Sequence, residues 1–237
     1  MDNATYTTLT RQAGLMREMS VVANNIANAA TTGFRQEGMV FSEYVRAIEG
    51  GPSLSMATAG GRHISDVQGP LQQTGGQFDF AIEGTGFFRV ETPEGDRLTR
   101  AGSFSPNAAG DLVTAEGFRV LDAGGGAIFV PPNATNLAVG TDGTISSDGQ
   151  PIAQIGLFLP ERPETLTRAG GTAFTADGEL VPVFDARILQ GFVENSNVDT
   201  VSQLARMIEV QRAYEMGQGF LDKEDDRIRN AIKSLTR

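Results

Sequence analysis

The sequence predicts an α+β fold in which paired N- and C-terminal helices of coiled-coil-like period bracket an antiparallel β-rich middle. Three observations carry that prediction. Apolar residues recur at alternating steps of three and four near both ends, the period changes to two from Phe78, and turn signals of the Asp-Gly and Pro-x-Gly kind punctuate the region that follows.

At the N-terminal end Leu15, Met19, Val22, Ile26 and Ala29 form one stripe, and Leu9, Ala13, Met16, Ala23 and Ala27 form a second beside it. Two adjacent stripes make a wide apolar face suited to more than one neighbouring helix. This helix is expected to stop at Thr31-Thr32-Gly33, where two β-branched residues lead into a glycine able to act as a left-handed cap or hinge. At the C-terminal end Leu204, Met207, Gln211, Tyr214, Gln218, Leu221, Asp225, Ile228, Ile232 and Leu235 hold the same spacing. A helix of that extent runs about 55 Å at about 1.5 Å per residue, longer than a small domain is wide. Its polar seam positions Gln211, Gln218 and Asp225 weaken a packed interface but can fix its register. Asn197 or Asp199 is placed to cap it, and Asp225 and Arg229 form an i, i+4 pair on its surface. Neither stripe has an evident partner in an isolated chain, so both segments are expected to become helical on assembly.

The chain accordingly divides into a terminal helical domain of residues 1–34 and 198–237, an extended connector of residues 35–76 marked by Gly-Gly pairs, and a β-rich domain of residues 77–197. In the last, Phe78, Phe80 and Ile82 alternate with Asp79, Ala81 and Glu83, as in a half-buried strand. Further strands are expected at Phe87 to Glu91, Leu98 to Ala101, Phe118 to Leu121, Ile128 to Val130, Ile152 to Leu159 and Ala186 to Val193. Pro93-Glu94-Gly95, Asp142-Gly143, Asp148-Gly149 and Asp177-Gly178 mark turns between them. Such dense turns indicate an antiparallel sheet or small barrel, not alternating β-α units.

Charge follows the same division. The chain has 29 acidic and 19 basic residues; residues 1–46 hold four of each and residues 198–237 seven of each, so the middle holds 18 acidic and 8 basic residues and the whole net charge of −10. Neutral ends can pack side by side, and an acidic middle stays solvated. No basic patch of the kind that binds nucleic acid is present. With no cysteine there is no disulfide or thiolate chemistry, and no apolar run approaches the roughly 18 residues of a membrane span. The N-terminus lacks the basic start and apolar run of a cleaved signal.

Candidate chemistry is thin, and no catalytic, cofactor or metal site is expected. Gly84-Thr85-Gly86 lacks the third glycine, following helix and Lys-Ser/Thr of a phosphate loop, and reads as a turn. His63 is the sole histidine and stands without other ligands. Asp222, Glu224, Asp225 and Asp226 lack the spacing of a calcium loop and read as a solvated helix face beside Lys223, Arg227 and Arg229. A carboxylate pair for glycoside hydrolysis is not singled out by any pattern.

The run Ala23-Asn24-Asn25-Ile26-Ala27-Asn28-Ala29-Ala30-Thr31-Thr32-Gly33-Phe34-Arg35 resembles the N-terminal signature of the bacterial flagellar rod, hook and hook-associated proteins. The resemblance extends to Phe80 through Phe88, to Thr99-Arg100-Ala101-Gly102-Ser103-Phe104, to Ser196-Asn197-Val198-Asp199 and to Met207-Ile208-Glu209-Val210-Gln211-Arg212-Ala213-Tyr214-Glu215. The short length, the Met1-Asp2-Asn3 opening and the Glu224-to-Arg229 ending are most similar to proximal rod members, with distal rod or hook-type members the alternative. The resemblance implies a structural subunit of a periplasmic drive shaft, exported by the flagellar type III apparatus without signal cleavage. It also implies assembly with other rod proteins and with copies of itself, with helices as the inner tube layer and the β domain outside.

On this reading the residues expected to carry subunit packing are Leu15, Met19, Val22, Asn24, Asn25, Ile26 and Asn28 at one end. At the other they are Leu204, Met207, Ile208, Gln211, Tyr214, Leu221, Ile228, Ile232 and Leu235. Asn24 and Asn28 share a face at i, i+4 and can hydrogen-bond across helices. Gly217 and Gly219 depart from the family pattern and cost about 1 kcal/mol each relative to alanine. The rival readings are a filament-capping adaptor and a β-rich cell-wall hydrolase.

Overall fold

A computed structural model describes residues 2–46, 54–132, 134 and 136–235, with side chains for 7–40, 61–132, 134 and 136–235. The chain forms two compact units, one of Met1–Ala27, Glu37–His63 and Asp199–Arg237, the other of Asn28–Gln36 and Ile64–Val198.

The first unit is built on helix α1, Asp2–Ala27, and helix α2, Thr200–Leu235. It also contains the strand Glu37–Arg46 and most of the strand Leu54–Ile64, which pair as a two-stranded sheet and lie within the residues 35–76 expected as an extended connector. α2 begins where Asp199 accepts hydrogen bonds from the Val201 amide at 3.0 Å and the Ser202 hydroxyl at 2.7 Å, the role of an N-cap. The helix continues through Gly217 and Gly219 without interruption. α1 stops earlier than the Thr31-Thr32-Gly33 boundary expected from sequence. In the second unit the Asn28 carbonyl accepts from the Thr31 amide at 3.1 Å and the Thr31 carbonyl from the Phe34 amide at 3.2 Å, so successive tight turns replace the helix. Gly33 does adopt a left-handed φ of +71°, but away from a helix end: a Cβ there would lie 2.2 Å from the Ala101 amide nitrogen, so only glycine fits.

The second unit is antiparallel throughout its described strand pairs. Its main sheet runs, edge to edge, through Thr167–Gly170, Ala173–Thr175, Gly95–Thr99, Phe87–Thr92, Arg119–Val120, Leu112–Val113 and Ser105–Pro106. Leu157–Pro160 pairs with the start of Phe87–Thr92 and carries Leu180–Pro182 on its far side. Consecutive residues of the central strand point to opposite faces, and both faces are covered. Phe88 packs with Phe80, Phe104, Leu112 and Ile128 in one cluster, its ring edge-on to Phe104 at 5.3 Å. Phe87 packs with Leu98, Phe158 and Phe174 in a second, its ring 5.7 Å from Phe174. Each fully buried side chain of this size contributes roughly 1.5–3 kcal/mol.

Several strand expectations shift in detail. Phe80–Glu83 forms, but Ala81 is buried beside Phe80 and Ile82, so the strand is covered on both faces instead of half-buried. Ile128 and Val130 are buried without a strand of their own, held by isolated bridges such as Asp111 to Phe129. The expected runs 152–159 and 186–193 each divide, into Gln150–Gln154 and Leu157–Pro160 and into Arg187–Gln190 and Phe192–Glu194. Turn chemistry held where it was strongest. Asp148 and Gly149 both take positive φ, 49° and 80°, and close the tight hairpin that pairs Ser147 with Gln150.

Candidate functional site: the paired terminal helices

Within the first unit α1 and α2 run antiparallel, and side-chain hydrogen bonds set the alignment rung by rung. Asn25 donates to Gln203 Oε1 at 3.1 Å, Arg206 donates to Glu18 at 2.7 Å, Gln12 donates to the Tyr214 carbonyl at 3.3 Å, and Gln218 donates to Gln12 at 3.1 Å. Gln12, Glu18, Asn25 and Gln203 are all buried. A slip of one turn would leave these groups without partners in a region shielded from water, and that cost selects one register. The Glu18 hydrogen bond, more than the burial that opposes it, raises the pKa of Arg206 above its ordinary value.

The apolar part of the seam lies between the rungs. Val21 and Val22 of α1 and Val210 of α2 are buried, while Leu15, Met19, Ile26, Met207, Tyr214 and Leu221 are half-buried. On α2 Gln203 and Val210 are buried and Met207, Ala213, Tyr214, Gly217, Gln218, Gly219, Leu221 and Glu224 are half-buried; through them runs the four-three repeat Gln203, Met207, Val210, Tyr214, Gly217, Leu221, which shares Met207, Tyr214 and Leu221 with the stripe expected from sequence. Its second column falls on the opposite flank from the expected one. Leu204 is 49% exposed, Gln211 is exposed and bonds to Glu215, and Asp225 is exposed and pairs with Arg229 at 2.7 Å. Of the three polar seam positions expected to fix register, Gln218 alone contacts α1 among the bonds described.

The remaining packing candidates divide by exposure. Ile208, Ile228, Ile232 and Leu235 are exposed on α2, as are Leu9, Met16, Ala13, Ala23 and Ala27 of the second stripe on α1. The seam side of each helix therefore does find a partner within the chain, and the larger apolar side chains that do not face it are turned outward. Asn24 is half-buried. Asn25 is 1% exposed, donates to the Glu37 carbonyl at 2.8 Å and accepts from the Glu37 amide at 3.0 Å. In the other unit Asn28 accepts from the Thr31 hydroxyl at 3.2 Å, closing the turn that contains Gly33. Sequence reasoning missed Gln12, Glu18, Val21, Gln203, Arg206 and Val210. The available signal was the presence of polar residues roughly two helical turns apart beside the N-terminal stripe, Gln12, Glu18 and Asn25, which becomes meaningful only once the antiparallel alignment is known.

Nothing in this geometry resembles a reaction centre. Among the described residues no group of three or more His, Asp or Glu side chains is placed to hold a metal ion, and the acidic residues of α2 pair locally, Glu224 with Arg227 and Asp225 with Arg229. His63 is exposed at the end of a strand, and Gly84-Thr85-Gly86 is a short connection between strands. No helix is long and apolar enough to cross a membrane among the described residues.

Three family models match the chain. A model described as flagella basal body rod protein matches residues 6–35, the flagellar hook protein FlgE/F/G D1 domain matches residues 81–147, and the flagellar basal body rod FlgEFG protein C-terminal region matches residues 189–234. Among curated relatives, the flagellar basal-body rod protein FlgF of Caulobacter vibrioides is 39% identical, with 99% of this chain and 98% of the relative covered. FlgF of Mesorhizobium japonicum is 38% identical with the same coverage, and FlgG of Bacillus subtilis is 29% identical over 96% of this chain and 97% of the relative.

Proposed function

Because this chain belongs to the flagellar basal-body rod protein family, we propose that its paired terminal helices assemble with those of neighbouring rod subunits into the wall of a drive shaft. The chain is a structural rod subunit and not an enzyme, and its full-length likeness to relatives named FlgF is at least as good as its likeness to those named FlgG. We assign it to the proximal rod on that likeness.

The observation that carries the assembly reading is the apolar surface that the helix pair leaves uncovered. Polar side chains fill much of the seam between α1 and α2, whereas Leu9, Met16, Leu204, Ile208, Met216, Phe220, Ile228 and Ile232 face outward. An isolated helical pair is stabilised by apolar groups in the seam and polar groups outside, so apolar side chains on the outside gain nothing for the pair itself. Outward apolar faces on two helices gain their free energy only when further helices cover them, in coiled-coil-like contacts with copies of this chain and with other rod proteins. In this proposal the helices form the inner layer of a tube that crosses the periplasm, the β unit forms its outer layer, and the contacts transmit torque for swimming. The subunit reaches that place through the flagellar type III export apparatus without signal cleavage.

Electron cryo-microscopy of purified basal bodies tests the proposal. The expected result is density for this chain in the rod wall on a helical lattice, with α2 packed against helices of other subunits. Density confined to a cap, or α2 exposed to solvent along its length, rejects it.

A further inference from the structure

Three sequence segments far apart in the chain meet in the interior of the β unit. Arg35 follows the tight turn at Gly33, Arg100 follows the strand Gly95–Thr99, and Glu194 ends the strand Phe192–Glu194. All three side chains are buried, at 2%, 3% and 1% exposure, so two guanidinium groups share one carboxylate. Arg35 Nε donates to Glu194 Oε1 at 3.0 Å, and Arg35 Nη1 donates to the Asp66 carbonyl at 2.7 Å. Arg100 Nη1 lies 3.3 Å from Glu194 Oε2 and Arg35 Nη2 lies 3.0 Å from Glu194 Oε1, ion pairs in which neither nitrogen is aligned for a hydrogen bond, and Arg100 Nε and Glu194 Oε2 are likewise without one. Arg100 Nη2 donates to the Gly84 carbonyl at 2.6 Å. Burial, eased by Glu194 and aggravated by Arg35, pulls the pKa of Arg100 down to about 10.

A cluster with a surplus charge and several unaligned polar atoms is a poor source of net stability, since desolvation of the ions opposes their attraction. Its position offers a different use. The segment 33–36 and the segment 194–197 are joined at every level around it. The Gly33 amide donates to the Glu194 carbonyl at 2.7 Å, the Gln36 amide to Asn197 Oδ1 at 2.7 Å, and the Asn197 amide to the Phe34 carbonyl at 3.4 Å. Arg168 closes the far side, with its guanidinium 4.1 Å over the Phe34 ring and 4.9 Å over the Phe174 ring.

We infer that Arg35, Glu194 and Arg100 form a conformational clasp that fixes one pairing of segments 33–36 and 194–197, and that the cluster is kept for this specificity at no gain in stability. Apolar contacts tolerate sliding, but a buried carboxylate between two guanidinium groups has one position from which it reaches both. The clasp therefore holds the two ends of the β unit's chain at a set spacing whether or not other subunits are present.

The chain contains no cysteine, so Ala30→Cys and Val198→Cys introduced together give two unique spin-labelling sites within this unit. Double electron–electron resonance on the full chain then reads the spacing, and urea denaturation reads stability. Glu194→Gln, which leaves two buried cations without a counter-charge, is expected to lower the urea midpoint and broaden the distance distribution. The triple variant Arg35→Met, Glu194→Leu, Arg100→Met is expected to keep or raise the midpoint while losing the single narrow distance. A triple variant that retains the narrow distance overturns the inference, as does one with a lowered midpoint, which would make the cluster a source of stability. An unchanged midpoint in Glu194→Gln also overturns it.

Discussion

The side chain of Asn25 grips the backbone of Glu37 at both ends, donating to its carbonyl at 2.8 Å and accepting from its amide at 3.0 Å. A side-chain amide has the same donor and acceptor pair as a peptide group, so Asn25 presents to Glu37 the partner that a neighbouring strand would otherwise supply. The same nitrogen also reaches Gln203 Oε1, so one buried residue of α1 joins the first strand of its unit to α2.

Asn25→Ala removes these bonds from the buried Glu37 backbone and from the buried Gln203 side chain. The expected loss is on the order of 3 kcal/mol, read as a lower urea midpoint followed by the circular dichroism of the helices. Asn24→Ala, at a half-buried neighbour, is expected to cost less than about 1 kcal/mol. Equal effects at the two positions would show that the Glu37 grip is not special.

The two glycines of α2 are expected to respond differently to alanine. At Gly219 an added Cβ meets nothing within 4 Å, so Gly219→Ala should stabilise the helix by about 1 kcal/mol through propensity alone. At Gly217 the Cβ would come within 2.9 Å of Gln12 Nε2, the atom that donates to the Tyr214 carbonyl. Gln12 must move and its rung of the seam weakens, which offsets the gain. Thermal unfolding that shows the same increase for both variants would mean the Gln12 rung adds nothing.

Asp199 provides a pH-dependent contribution. Its hydrogen bonds from the Ser202 hydroxyl and the Val201 and Ser202 amides hold its pKa below the ordinary 3.8. A carboxylate whose folded pKa is depressed contributes stability that is present above the unfolded value and is lost as pH falls through the folded one. Asp199→Asn should therefore resemble the parent chain in the acid range and be less stable than it near neutrality, with the difference closing as pH falls below about 4. A constant difference between pH 3 and 7 contradicts this account.

Much of the fold was readable because it depends on local periodicity. The apolar repeats located both helices, and Asp148-Gly149 located a hairpin whose two positive φ angles few other pairs supply. What was not readable depends on tertiary alignment. Met207, Tyr214 and Leu221 lie on the covered side either way, but the choice between Leu204 and Gln203 as their companion turns on whether Asn25 stands opposite to receive it. Likewise Ala81 reads as the outward member of an alternating strand, and its burial follows from a second layer that no local pattern reveals. Arg35, Arg100 and Glu194 carry no mutual signal in sequence because the contact between them spans most of the chain.

The exposed positions of α2 separate folding from assembly. Ile232 is 57% exposed and Leu235 85%, and both lie on a continuation of the stripe through Leu221 and Ile228. Replacing Ile232 with Asp removes little buried apolar surface from the monomer, so its urea midpoint should move by less than about 0.5 kcal/mol. In an assembled wall the same carboxylate would be buried against apolar neighbours without a partner, a cost of several kcal/mol repeated at each subunit. Asp226→Asn, on an exposed face, changes a charge but no such contact. The expected outcome is that cells producing Ile232→Asp export the subunit yet lack rods and do not swim in soft agar, while Asp226→Asn cells swim normally. Motile Ile232→Asp cells would remove the outward apolar face of α2 from the assembly, and non-motile Asp226→Asn cells would place the working contact on the acidic cluster instead.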